Sequence, residues 1–85
     1  MRRVITARYI KEYEIWLEFD DGKSGVVDLR PELYGEIFEP LKDKQVFRAF
    51  KYGDGSNTIH WDNGADFAPE FLYDAVKESN DKKGT

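Results

Sequence analysis

The segment from Tyr13 to Asp20 alternates between apolar and polar residues, with Trp16 as the one interruption, and Asp21-Gly22 follows at once. Period-two alternation predicts a half-buried β-strand. An Asp-Gly pair between strand patterns predicts a tight hairpin turn, because such turns need positive φ angles. Residues 4–10 are rich in β-branched and aromatic side chains, and residues 23–29 are expected to be the returning strand, with Val26, Val27 and Leu29 as its apolar residues. Residues 4–29 are therefore expected to form a three-stranded antiparallel meander.

A second hairpin is predicted from the pattern of the later segments. Residues 48–52 and 58–61 both alternate, and a glycine-containing turn lies between them. Asp43 is a suitable N-cap for a short middle helix, because its carboxylate can accept from the free N–H groups of a first turn. The boundary between this helix and the next strand stays open from Arg48 to Phe50.

A C-terminal helix is predicted to begin near Pro69, where a proline in the first turn does no harm. Its apolar stripe is expected to pack on the sheet and consists of Phe71, Leu72, Ala75 and Val76. Together, the predicted strands and helices indicate one α+β domain over residues 1–79. Residues 80–85 are polar and charged, and we expect them to form a disordered tail.

Composition excludes several classes of function. The chain of 85 residues is long enough for one domain, and it has no cysteine for disulfides, thiolate metal sites or cysteine nucleophiles. The net charge of −4 disfavours direct nucleic-acid binding, which needs a basic surface, but is compatible with a basic protein partner. No segment approaches the ~20 apolar residues of a membrane span. We therefore expect a cytoplasmic protein without a membrane anchor.

His60 is the single histidine, so an acid–base or metal site near neutral pH would depend on it. Asp62 and Asp66 lie close in sequence and make an enzyme or metal site around these three residues an alternative. One nitrogen ligand is too few for zinc, which needs three or four. Structural roles explain the aspartates as well, Asp62 in a turn and Asp66 as a helix cap. We therefore expect no catalytic residues, no metal and no cofactor.

The aromatic residues favour a binding role more strongly than His60 and the aspartates favour a catalytic or metal site. Four of them are expected near the domain surface and are candidates for contacting a partner, since such residues are enriched at interfaces: Trp16, Tyr34, Tyr52 and Tyr73. The simpler explanation is that their rings pack sideways while their polar atoms meet water. An exposed sheet edge would also permit strand addition, which makes a structural homodimer a further alternative.

The ending Trp61-x-Asn63-Gly64-Ala65-Asp66-x-x-Pro69-Glu70-x-Leu72-Tyr73 closely resembles that of a DUF2442-like family of small bacterial proteins with a domain of unknown function. Phe19-x-Asp21-Gly22 with Val27-Asp28-Leu29 resembles its hairpin, and Phe38-Glu39-Pro40-Leu41 with Phe47 resembles its middle. The likeness covers nearly all of residues 4–76. It departs from the family pattern at Asp62, where many members have proline.

The resemblance implies a compact α+β fold and no known activity. Members resemble accessory proteins that are often encoded beside another small protein, as in toxin–antitoxin pairs. Some relatives have a helix-turn-helix domain after this one, and none is expected here. We therefore expect a non-enzymatic protein-binding or regulatory module, antitoxin-like, that acts through another small protein. In the motif, Trp61 is expected in the core, Asn63 and Gly64 in a turn, and Asp66 and Pro69 at the start of a helix.

Overall fold

The meander predicted from the alternating pattern is confirmed. The computed structural model describes residues 2–53 and 55–83, and the side chains among them up to residue 76. An antiparallel sheet is formed by three strands in the order β1 (Val4–Lys11), β2 (Glu14–Phe19) and β3 (Ser24–Asp28). Gly22 has a φ of 90°, and its N–H donates to the Phe19 carbonyl at 2.9 Å. The hairpin turn therefore lies where the Asp-Gly pair predicts it, and of the pair it is Gly22 that has the positive φ.

One face of the sheet is buried. Ile15, Leu17 and Phe19 alternate along β2, and each is fully buried. The opposite face carries Arg8, Trp16 and Val26 as register partners across the three strands, and none of these is fully buried. The apolar residues of the alternating pattern in β2 thus lie on the side of the sheet that faces the core.

The connection from the sheet to the middle of the chain is built from short turns of helix. Two 3₁₀ turns, Arg30–Glu32 and Glu39–Lys42, lead into α1 (Lys44–Phe47). Asp43 Oδ1 accepts from the backbone N–H of Gln45 at 2.9 Å, which confirms the predicted cap and the short middle helix. Phe47 is fully buried and contacts three aromatic rings at centroid distances of 5.3 to 6.3 Å: Tyr9, Tyr13 and Trp61.

The predicted second hairpin, 48–52 with 58–61, is wrong. Within the described residues the two segments form one isolated bridge, in which Lys51 and His60 exchange backbone hydrogen bonds of 2.8 and 2.9 Å. Gly53 has a φ of 79° and turns the chain away soon after this bridge. After the bridge, the N–H of Trp61 donates to the Ala65 carbonyl at 2.9 Å, where the chain enters the next turn.

The chain ends in α2 (Pro69–Lys83), which packs against β3. Leu72 and Val76 of α2 are fully buried against the sheet. The tail predicted for residues 80–85 overlaps the end of this helix. Because its side chains and residues 84–85 lie outside the described part of the chain, its disorder stays a prediction. Among the helices described, none combines the length and apolar character needed to cross a membrane.

Candidate protein-binding groove

A shallow aromatic groove lies where the segment between β3 and α1 meets the start of α2. Its volume is about 230 Å³, and its lining residues come from two separate parts of the chain: Glu32, Tyr34, Phe38, Asp66, Phe67, Ala68 and Phe71. Small-molecule pockets usually occupy about 300–1,000 Å³. The groove is therefore small for a metabolite and of a size for one or two side chains of a protein partner.

The floor of the groove is a stack of phenylalanine rings. Phe67 is buried and lies between two rings, with its centroid 5.0 Å from that of Phe38 and 5.9 Å from that of Phe71. Phe71 is nevertheless 40% exposed, and Tyr34 beside it is 68% exposed. The exposed Phe71 ring is held by stacking on Phe67 and therefore presents apolar area at a small entropic penalty, as interface anchors do.

The motif turn from Trp61 to Ala65 holds one wall of the groove in place. The N–H of Gly64 donates to the Trp61 carbonyl at 3.0 Å, and Gly64 has a φ of 93°. Asn63 Nδ2 donates to the carbonyl of Ile37 at 2.9 Å, while its Oδ1 accepts from the N–H of Ala65 at 3.0 Å. Asn63 therefore joins the turn to the loop that carries Phe38.

Trp61 anchors this turn to the core, as predicted. Its side chain is 4% exposed, and its indole N–H donates to the Phe47 carbonyl at 2.8 Å. Its ring also meets Phe67 edge-on, with centroids 6.0 Å apart. The motif stretch thus connects α1, the turn and the floor of the groove.

A family model described as "Protein of unknown function (DUF2442)" matches residues 4–78. The chain belongs to the DUF2442 family. This confirms the resemblance found in the sequence, and the matched residues include both segments that line the groove. Comparison with curated proteins and with solved structures gives no match.

The four aromatic residues predicted to contact a partner do not come together. Tyr34 lines the groove, whereas Tyr52 is exposed elsewhere and does not line it. Trp16 is half-buried on the outer face of the sheet, where the Arg8 guanidinium lies 4.9 Å from the centre of its ring. In this DUF2442 chain, the structure thus places only Tyr34 of the four at the groove.

Tyr73 instead fastens α2 to the β2–β3 turn. Its hydroxyl donates to Asp21 Oδ2 at 2.7 Å, and the Arg2 guanidinium lies 4.1 Å from its ring centre and 3.4 Å from the same carboxylate. Hydrogen bonds from the Lys23 N–H and the Tyr73 hydroxyl, with the charge of Arg2, hold the pKa of Asp21 below its usual value. The hydrogen bond to Asp21 raises the pKa of Tyr73.

His60, Asp62 and Asp66 were the alternative site. Asp62 Oδ1 lies 2.9 Å from Lys51 Nζ, and this ion pair lowers the pKa of Asp62. His60 and Asp66 meet through a backbone bridge. Among the described residues, no group of three or more His, Asp or Glu side chains is placed to hold a metal ion.

Pro69 has the role predicted for it, in the first turn of the last helix, but Asp66 is not the cap of that helix. Pro69 opens α2, as expected for a proline in a first turn. The residue that precedes this turn is Ala68, whose carbonyl accepts from the N–H of Leu72 at 3.1 Å. Asp66 lies two residues further back and lines the groove, so it does not occupy the cap position.

Three aromatic residues of the groove are not predicted as binding residues from the sequence. From the sequence, Phe38 is named only as part of the resemblance to the family, Phe71 is placed in the apolar stripe of α2, and Phe67 has no assigned role. The useful signal was the density of aromatic residues, since Phe67 and Phe71 are spaced i, i+4 and Tyr34 and Phe38 have the same spacing.

Proposed function

We propose that this DUF2442 chain is a non-enzymatic protein-binding module that holds another small protein at the groove between Tyr34 and Phe71. The observation that carries the proposal is an exposed aromatic surface on a floor of stacked phenylalanine rings, with carboxylates on its rim. Aromatic anchors at the centre of an interface supply a large share of binding energy. The small volume of the groove favours a side chain of a protein over a free metabolite.

We further propose that the module is the antitoxin-like half of a pair, acting in the cytoplasm on a protein encoded by a neighbouring gene. The resemblance to small paired proteins and the net charge of −4 support this role. An acidic module is suited to a basic partner, because complementary charge accelerates association and selects against other acidic proteins. Any effect on transcription would then pass through the partner.

Co-expression with the product of the neighbouring gene tests the proposal. We expect the two chains to co-purify and the module to relieve any growth defect that the partner causes. Tyr34→Ala should weaken the complex at least tenfold, or about 1.4 kcal/mol, because it removes an exposed anchor without opening the core.

Tyr52→Ala is the matched control, since Tyr52 is also an exposed tyrosine but does not line the groove. It should leave affinity within about twofold of the wild type. Absence of a complex and of a growth effect would count against the antitoxin-like role. Equal losses in both variants would count against the groove.

A further inference from the structure

The rim of the groove carries negative charge that the chain itself does not neutralise. Glu32 and Asp66 are both among its lining residues, and none of the lining residues is basic. In the described part of the chain, no Lys or Arg forms an ion pair with either carboxylate. Other acidic residues, such as Asp21 and Asp62, do have cationic partners at 3.4 and 2.9 Å.

The same combination of aromatic ring and carboxylate already binds an arginine elsewhere in this molecule. The Arg2 guanidinium lies over the ring of Tyr73 at 4.1 Å and pairs with Asp21 at 3.4 Å. Arg8, Arg30 and Arg48 also lie over aromatic rings, at 4.9, 5.1 and 5.0 Å. Planar guanidinium groups suit such sites, because they stack on a ring and donate to a carboxylate at once.

We infer that the groove recognises an arginine of the partner protein that is flanked by a large apolar side chain. The guanidinium pairs with Glu32 or Asp66 and stacks on an exposed ring, and the apolar side chain lies on the phenylalanine floor. This inference rests on the proposed protein-binding function and specifies the partner's chemistry. It also predicts that arginine is preferred to lysine, whose ammonium cannot stack or bind in a planar, bidentate manner.

A second copy of the chain is the competing occupant. Val46 is 39% exposed and lies near Arg48 in sequence, so α1 presents a similar apolar and basic combination. Arg48, however, is already stacked on Tyr9. A contact between α1 of one copy and the groove of another would be head-to-tail, which leads to rings or open chains. A separate partner therefore fits the groove better.

The test selects peptides from a random library displayed on phage, using the full chain as bait, and measures the affinity of the enriched sequences as synthetic peptides. We expect the enriched peptides to carry an arginine within two residues of an aromatic or large aliphatic residue. Exchanging that arginine for lysine should weaken binding about tenfold. The double variant Glu32→Gln with Asp66→Asn should weaken binding to a similar degree and reduce its dependence on salt.

Two variants separate the outcomes. Tyr34→Ala should abolish the enrichment, whereas Glu18→Gln, on the outer face of the sheet, should leave it unchanged. Peptides that bind in the groove without arginine, or equally well with lysine, would overturn the inference and leave the protein-binding proposal standing. No enrichment, or binding that Tyr34→Ala does not affect, would overturn both. If the wild-type chain self-associates as its concentration rises and Tyr34→Ala does not, the groove binds a second copy of the chain. That result would overturn the inference.

Discussion

Gly64 is the residue on which the motif turn depends most directly. Its φ of 93° lies in the left-handed region, and a Cβ there would meet the Ile37 side chain at an ordinary contact distance of 3.8 Å. A side chain at this position therefore fits in space, and the penalty comes from the backbone conformation. The role of Asn63-Gly64 could be predicted from sequence, because turn chemistry is local.

Replacing Gly64 with Val should destabilise the domain by about 1–3 kcal/mol, because a β-branched residue resists positive φ. Thermal unfolding should show a Tm lower by about 4 °C or more, given the usual scaling for a domain of this size. Gly64→Asn is the control and should lose less, since asparagine tolerates the left-handed region. An unchanged Tm in the Val variant would show that the turn is not under this constraint.

Asp21 should make stability depend on pH. Its pKa is lower in the folded chain than in the unfolded chain, owing to hydrogen bonds from Lys23 and Tyr73 and the charge of Arg2. Its contribution is therefore present above the unfolded pKa, which is about 3.9, and is lost as pH falls through the folded value. Urea unfolding between pH 7 and pH 2.5 should show a shallower decline in Asp21→Asn than in the wild type.

Tyr73→Phe keeps the Asp21 carboxylate and removes one of its donors. Its decline in stability with falling pH should lie between those of the wild type and Asp21→Asn. Parallel curves for all three proteins would show that the contacts of Asp21 do not contribute to acid unfolding.

At the scale of elements, the local patterns were sufficient for the meander and insufficient for the groove. β2 could be predicted because the alternating residues and the turn residues that follow them are adjacent in the sequence. Phe71 was assigned to the buried stripe, yet a helix turns about 100° per residue, so Phe71 and Leu72 face different directions. Which of the two points inward depends on how α2 meets β3, and that information is not local.

The second hairpin was likewise predicted from a local pattern, and it does not form because strand pairing depends on non-local contacts. Ile59 and Trp61 are buried as their alternation suggests, but His60 between them forms only an isolated bridge with Lys51 and not a ladder of strand pairs. Alternation reports burial on one side and does not require a hydrogen-bonded ladder. The groove could not be predicted either, because its walls come from two segments, residues 32–38 and 66–71, that lie far apart in the sequence.

α1 should depend strongly on its cap, because a helix of four residues has almost no internal stability. Asp43→Ala removes the acceptor for the N–H of Gln45 and should lower the free energy of unfolding by about 1 kcal/mol. Chemical denaturation measures this loss. Asp43→Asn can still accept and should stay within a few tenths of a kcal/mol of the wild type; an equal loss in both variants would contradict the cap.

At the scale of the whole molecule, the chain should be a monomer in solution at low micromolar concentration. β1 is a sheet edge, and its pairing with β2 is irregular between Val4 and Thr6 and between Tyr9 and Lys11. Such irregularities discourage strand addition. Light scattering should give a mass near 9.9 kDa. A stable mass near twice this value would favour the homodimer alternative, and a charged substitution at exposed Ile10 would then test the β1 edge.

The central claim is that this module binds a protein partner at the aromatic groove. Chemical-shift mapping of the ¹⁵N-labelled chain, titrated with the product of the neighbouring gene, tests it most directly. We predict that the amide resonances of Tyr34, Phe38, residues 66–68 and Phe71 shift together, while those of Arg8, Trp16 and Val26 stay in place. Shifts confined to the outer face of the sheet, or no shifts at all, would contradict the account.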